Sequence, residues 1–377
     1  MPDIAQILEF LGDQRSVALA GLAVGLIFGF AAQRSQFCLR AATIEFWRGK
    51  IWRNGWAGGA LGPRTAVWLL VFGVALSGTQ ILLAAGILDS GRIRQLSSAG
   101  TMSGAIIGGL MFGAGMILAR GCASRLLVLS ATGNLRALVS GLILTVTAQA
   151  ALSGILSPAR LQLSALWTVP AELRDLHRWL PAGSGLVLGL ATLALAVAMA
   201  LRHRLRIQTI LSGATVGAAV VLGWYLTAAI AARAFEPVGV QSVTFTGPST
   251  DTLMVLIARP DIPFSFGIGL VPGVFAGSFV SAVLAGEFEI QTFDSATPLP
   301  RYILGAVLMG FGSMLAGGCA VGAGVTGGSL MASTAWAALV AMWISAGVMD
   351  AVLERRRGAA PRTISGAPTA VRIGKAG

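Results

Sequence analysis

Nine apolar runs alternate with short polar stretches along the chain, at about 16–33, 65–88, 99–119, 134–156, 183–201, 208–231, 265–286, 301–318 and 334–353. Each is long enough to cross a hydrocarbon layer of ~30 Å. The pattern predicts an all-α polytopic membrane protein with about nine transmembrane helices. Three weakly apolar, small-residue segments interrupt it: CLRAATIEFW from Cys38, CASRLLVLSATG from Cys122 and CAVGAGVTGGSLMAS from Cys319. These are too short or too glycine-rich to span, and read as re-entrant half-helices. Irregular backbone at membrane depth is tolerated where it lines a cavity or is buried in protein. The cysteines are therefore expected beside a pathway, away from lipid.

A repeat leads into those segments. Glycine, three residues, glycine, eight residues, cysteine fits Gly25, Gly29 and Cys38, and again Gly109, Gly113 and Cys122. Ala306, Gly310 and Cys319 differ only in the first residue, and a fourth copy, Gly273, Gly277 and Gly286, has glycine in place of the thiol. The chain holds three cysteines, and each occupies the same place in a copy of this unit. Gly104, Gly108, Gly109, Gly113 and Gly115 read as close helix packing. Gly121 before Cys122, and Gly317 and Gly318 before Cys319, read instead as the points where the chain leaves its helix. By span count the third and eighth helices run in opposite directions, so their broken ends are expected to meet from opposite sides. The first and seventh run the same way, and a clean inverted repeat does not follow.

Composition agrees with the membrane reading: 55% hydrophobic residues, 11% charged, 50 glycines and a mean hydropathy of +0.79. Met1 to Gln14 lacks a signal-peptide pattern, so the first helix is expected to remain. The net charge of +12 would point to nucleic acid in a soluble protein. Here 19 of the 27 Lys and Arg residues fall in 34–64, 120–136, 202–206, 287–301 and the tail. That asymmetry predicts N-terminus outside and C-terminus inside, and makes nucleic-acid binding an unattractive reading. The loop 287–301 dissents, with Glu287, Glu289 and Asp294 against one arginine. Residues 1–353 read as one transmembrane domain and 354–377 as a basic, disordered tail. Outside, Trp167–Leu180 has the spacing of an interfacial helix, with His177 at the surface. Gln241–Ile257 combines a polar turn with a short apolar helix that caps the outer mouth.

The cysteines admit a bland reading, as small hydrophobes filling gaps. Their confinement to the repeat, beside Arg34, Arg40, Arg120 and Arg125, favours function. No Cys-x-x-Cys pair supports a dithiol switch. His177 and His203 lie in polar segments remote from the cysteine units, which argues against a metal site, and no cofactor is called for. What remains is a row of separate thiols, each a weak donor and a polarizable acceptor, which suits a soft sulfur-containing solute. Half-helix N-termini and nearby arginines would favour an anion.

GFAAQRSQFC around Cys38, ARGCASR around Cys122, TFTGPSTDTLM and AGGCAVGAG around Cys319 together resemble the YeeE/YedE family of bacterial inner-membrane proteins. The resemblance runs from about residue 17 to 350. It implies an hourglass-like, pseudo-symmetric transporter, not an enzyme, that takes up thiosulfate and passes it between thiols by S–H···S hydrogen bonds. On that pattern Cys38, Cys122 and Cys319 form the relay, with Gly121, Gly318, Arg34, Arg120 and Gln36 supporting the pathway. It also implies a cytosolic TusA-like sulfurtransferase as partner. Other readings are a carrier of another sulfur or selenium compound, a general anion channel, and a membrane thiol protein that accepts sulfane sulfur as a persulfide.

Overall fold

The computed structural model describes residues 12–51, 61–181, 183–234, 237–257, 264–292 and 299–358. Among them nine helical stretches are long and apolar enough to cross a membrane. In chain order the elements are α1 (Asp13–Ser35), α2 (Leu39–Ile51), α3 (Pro63–Ala84), β1 (Gly100–Thr101), α4 (Met102–Leu118), α5 (Ala123–Ala131), α6 (Leu135–Ser153), α7 (Ser157–Ala165) and β2 (Thr168–Val169). They continue with α8 (Ser184–Arg202), α9 (Ile207–Ala231), α10 (Thr246–Ile257), α11 (Phe266–Ala285), α12 (Leu299–Ala316), a π-helical segment (Ala320–Gly327) and α13 (Ser333–Gly358). The chain is a polytopic helical membrane protein.

Two tight helix pairs organise the bundle, and glycine makes both. A Cβ on Gly21, Gly25 or Gly29 of α1 would run into the backbone carbonyl of Phe266, Leu270 or Val274 of α11. Gly269, Gly273 and Gly277 return the contact against Ala18, Leu22 and Leu26. The register rises together on both sides, so α1 and α11 are parallel and touch backbone to backbone. In the second pair Gly104, Gly108 and Gly115 of α4 meet Leu315, Gly312 and Gly305 of α12, so these helices are antiparallel. Gly109 and Gly113 face the other way, onto Ala338 and Met342 of α13. Neighbouring glycines of α4 thus serve two different helices, as the packing reading of the sequence expects.

These pairs define two ends of the bundle. At one, the arginine face, the C-terminal ends of α1 and α11 meet through Gln33 Nε2 donating to Glu287 Oε2 at 3.0 Å. The start of α6 joins them, Leu135 N–H bonding Gln291 O at 3.0 Å. At the other, the tryptophan face, β1 pairs antiparallel with β2, Gly100 opposite Val169 and Thr101 opposite Thr168. The chain α4–α5 runs from the tryptophan to the arginine face, and α12 with its π segment runs back.

Three expectations need correction. Trp167–Leu180 is not a continuous helix: it comprises β2, one helical turn (Ala171–Arg174) and one 3₁₀ turn (Leu176–Arg178). Pro170 and Asp175, both in extended conformation, break the helical period. His177 is not a bare surface residue, because its ring bridges Asp175 Oδ1 at 2.8 Å and Gln80 Oε1 at 2.7 Å. The boundary expected at residue 353 falls inside α13, whose Glu354 accepts from Arg48 at 2.7 Å; the tail beyond 358 lies outside the described residues.

Candidate functional site

Each cysteine stands at the N-terminus of a half-helix and opens it with its own carbonyl. Ala42 N–H bonds Cys38 O at 3.2 Å, Leu126 N–H bonds Cys122 O at 2.9 Å, and Ala323 N–H bonds Cys319 O at 2.8 Å. These are first-turn bonds of α2, α5 and the π segment, so all three thiols sit at the partly positive end of a helix. Two residues before each thiol the backbone is left-handed: Gln36 (φ 52), Arg120 (φ 58) and Gly317 (φ 79). The turn before Cys122 is therefore made by Arg120, one residue earlier than the expected Gly121, which packs beside Leu126. A non-glycine residue in this region carries strain that the surrounding structure must hold. Gly318 has a steric role, since a Cβ there would come within 2.7 Å of Ala323 N and crowd the first turn of the π segment.

The thiols differ in surroundings. Cys122 and Cys319 are buried and Cys38 is half-buried; none is in a disulfide. Cys38 and Cys122, 84 residues apart in sequence, are close enough to interact electrostatically, and Cys122 Sγ lies 3.4 Å from Ser124 Oγ. Cys319 Sγ accepts the N–H of Gly322 at 3.4 Å and thereby caps its own segment. The π segment and the turn that follows it are held from outside as well: Thr326 Oγ1 donates to Val243 O at 2.6 Å and Gln80 Nε2 to Ser329 O at 2.9 Å. Short π segments are rare and concentrate at functional sites. α5 lies against the π segment, so half-helices from the two faces touch.

A fourth half-helix completes the set, and it is not the fourth glycine repeat. Gly273 and Gly277 pack against α1, and Gly286 (φ 65) merely ends α11. The fourth inward N-terminus belongs to α10, where Ser249 N–H bonds Phe245 O at 2.9 Å. Phe245 occupies the position that the cysteines hold elsewhere, buried against Phe28 with ring centroids 5.2 Å apart. The stretch expected to cap the outer mouth instead leads inward, with Val243, Phe245, Thr246 and Thr250 all buried.

From the arginine face a cavity of about 780 Å³ reaches Cys38, lined also by Arg34, Gln36, Arg40, Arg64, Arg120, Arg125, Arg206 and Glu287. It gathers the sequence-nominated Arg34, Gln36 and Arg120 around one thiol, while Gly318 and Cys319 belong to the opposite half. Arg34 donates to Ser281 Oγ at 3.3 Å, and Arg125 reaches Gln33 Oε1 at 3.5 Å. Arg64, Arg206, Gln33 and Phe245 escape a sequence reading. The first two stand out only as loop charges, and Phe245 only through the Gly247-Pro248 turn that starts its helix. The outer end of α2 is anchored to α13 by Arg48, which grips both Asp350 oxygens at 2.8 and 3.0 Å. Trp47 Nε1 adds a bond to Trp343 O at 3.0 Å, so the inner end bearing Cys38 is held in place.

The three thiols stand at inward helix ends, and a basic cavity reaches Cys38. Residues 34–349 match the family described as Sulphur transport. The chain belongs to that family. Among its relatives is the thiosulfate transporter TsuA of Escherichia coli K12, 29% identical over 353 residues that cover 87% of this chain and 92% of the relative. The thiosulfate transporter TsuA of Spirochaeta thermophila is 26% identical over 355 residues, covering 89% and 99% respectively. All three cysteines and all four half-helices fall inside the span matched to the sulphur transport family.

Proposed function

We propose that this protein takes up thiosulfate across a bacterial inner membrane, with residues 1–353 acting as one transport unit. The observation that carries the reading is the placement of three thiols at the N-termini of inward half-helices, with a basic cavity reaching the first of them, Cys38. Thiosulfate is a dianion with one soft terminal sulfur. Arginines and helix N-termini favour its charge, while thiols offer weak contacts that let it leave again, as conduction requires. The order along the path is Cys319, then Cys122, then Cys38, which opens into the basic cavity. On the positive-inside pattern that cavity faces the cytosol and the N-terminus the periplasm. A TusA-like sulfurtransferase would receive the solute there. No step of this reading changes a covalent bond, so the protein is a carrier and not an enzyme. The test is growth of a strain that lacks its own sulfate and thiosulfate uptake, on thiosulfate as sole sulfur source. Growth that depends on this gene is expected, and equal growth without it would refute the assignment.

One observation favours a second reading. Cys38 and Cys122 are neighbours, and a thiolate there could displace sulfite from thiosulfate, forming a cysteine persulfide whose sulfur the adjacent thiol then accepts. Mass spectrometry of protein exposed to thiosulfate separates the two: one added sulfur on Cys38 or Cys122 favours transfer, unmodified thiols favour passage.

A further inference from the structure

Arg40, Arg64 and Arg120 line the 780 Å³ cavity that reaches Cys38 and also a second cavity of about 530 Å³ beside it, so they stand where the two adjoin. Among the described residues no carboxylate forms an ion pair with any of these three. The acids close by are engaged elsewhere. Glu45 Oε2 takes both the N–H and the hydroxyl of Thr65, at 2.8 and 3.0 Å. Asp350 is gripped by Arg48, and Glu287 accepts from Gln33. Arg40 has a buried Nε with no hydrogen-bond partner, and it shares the lining of both cavities with Arg64 and Arg120. Like charges held together in a partly buried site are costly unless a counter-charge joins them. Both cavities are far larger than the ~30 Å³ share of one water, so a hydrated ion fits. Arginine forks match the paired oxygens of tetrahedral oxyanions.

We propose that Arg40, Arg64 and Arg120 form an oxyanion-binding site at the junction of the two cavities, which shares the larger cavity with Cys38 but needs no thiol contact, and so reads charge and oxygen geometry but not sulfur. The inference rests on the transport reading only for its biological meaning; the site itself takes any tetrahedral dianion, sulfate included. It makes selectivity one-sided: sulfate occupies the arginine face, while passage from the tryptophan face is still decided at the thiols.

The experiment titrates sulfate against the full-length protein in phosphatidylcholine nanodiscs at constant ionic strength, reading the shift in thermal unfolding with chloride as control. Wild type and Cys122→Ala should both be stabilised saturably by sulfate, because the thiol plays no part. Arg64→Gln, an exposed substitution that leaves packing alone, and Arg120→Gln should raise the half-saturating concentration at least tenfold. Arg40→Gln should do the same, with Arg40→Lys restoring part of the effect. Absence of a saturable shift beyond chloride, or one unchanged in Arg64→Gln and Arg120→Gln, overturns the site. Nanodiscs containing phosphatidylglycerol form the second arm. If the anionic lipid abolishes the sulfate effect, the arginines hold headgroup phosphates and the proposal fails. Loss of the thiosulfate-dependent growth phenotype alongside intact sulfate binding would sink the transport reading and leave this site standing.

Discussion

From the arginine face two thiols, Cys38 and Cys122, come close together at the tips of α2 and α5. From the tryptophan face a single thiol, Cys319, arrives with an aromatic ring, Phe245, at the tip of the companion half-helix. The backbone device is the same on both sides, a left-handed or extended turn followed by an inward N-terminus. The chemistry is not. The arginine side holds a roomy, arginine-lined cavity that reaches Cys38, whereas on the tryptophan side Cys319 is buried and its thiol caps the π segment. Thr326 there donates to Val243 O and Ser329 to Thr326 O, while the buried Thr246 hydroxyl of α10 has no partner among the described residues. On the proposed transport reading, the arginines of one half attract an anion, and the thiols of both halves decide what kind of anion passes.

The harshest way to break this comparison is to remove one thiol from each side. Cys122→Ala and Cys319→Ala should each lower thiosulfate uptake into proteoliposomes more than about tenfold, while retention on gel filtration stays normal, since loss of one small buried atom perturbs packing modestly. Uptake at the wild-type rate in both variants would remove the thiols from the pathway. Next comes the turn before Cys319. Gly317→Ala places a side chain at φ 79, costing about 1–2 kcal/mol, and Gly318→Ala forces a Cβ toward Ala323 N, costing about 1–3 kcal/mol. Both should lower the unfolding temperature and reduce uptake several-fold. A smaller effect is expected for Cys38→Ala, which keeps Cys122 in place and removes only the outermost station. An uptake defect larger than that of Cys122→Ala would reverse the assigned order. Accessibility sharpens the same point: a polar thiol reagent should modify Cys38 in the folded protein well before Cys122 or Cys319. The smallest effect belongs to the tryptophan face, where His177→Ala removes the bridge to Gln80, at a cost of about 1 kcal/mol in thermal stability.

Much of this architecture can be read from spacing. The glycine stripes of α1, α4, α11 and α12 are visible as repeats, because backbone contact between membrane helices demands small residues at fixed intervals. The opposed directions of α4 and α12, and the parallel ones of α1 and α11, follow from counting spans. The half-helices after each cysteine are visible as segments too short to cross. Other features depend on distance in space. The pairing of Cys38 with Cys122 joins parts of the chain separated by two spans, and no local pattern encodes it. Phe245 has no glycine unit before it and reaches its place along an extended segment, so the fourth half-helix is hidden behind the thiol-less repeat at Gly273–Gly286. Left-handed backbone at Arg120 escapes notice because glycine next to it is the expected residue for that conformation. His177 looks exposed in a polar stretch until Gln80, nearly a hundred residues earlier, is brought beneath it.

The most direct test of the central claim, that the thiols read sulfur, is labelled thiosulfate uptake from the tryptophan face by Cys122→Ser and Cys319→Ser proteoliposomes, with excess sulfate on that same face. Serine keeps the shape and a hydroxyl donor, but it holds water and oxyanions more strongly and bonds readily to nearby backbone carbonyls. The account predicts that both serine variants are impaired nearly as much as the alanine ones, and that sulfate scarcely inhibits the wild type. Full activity in the serine variants, or strong inhibition of the wild type by sulfate, would contradict it.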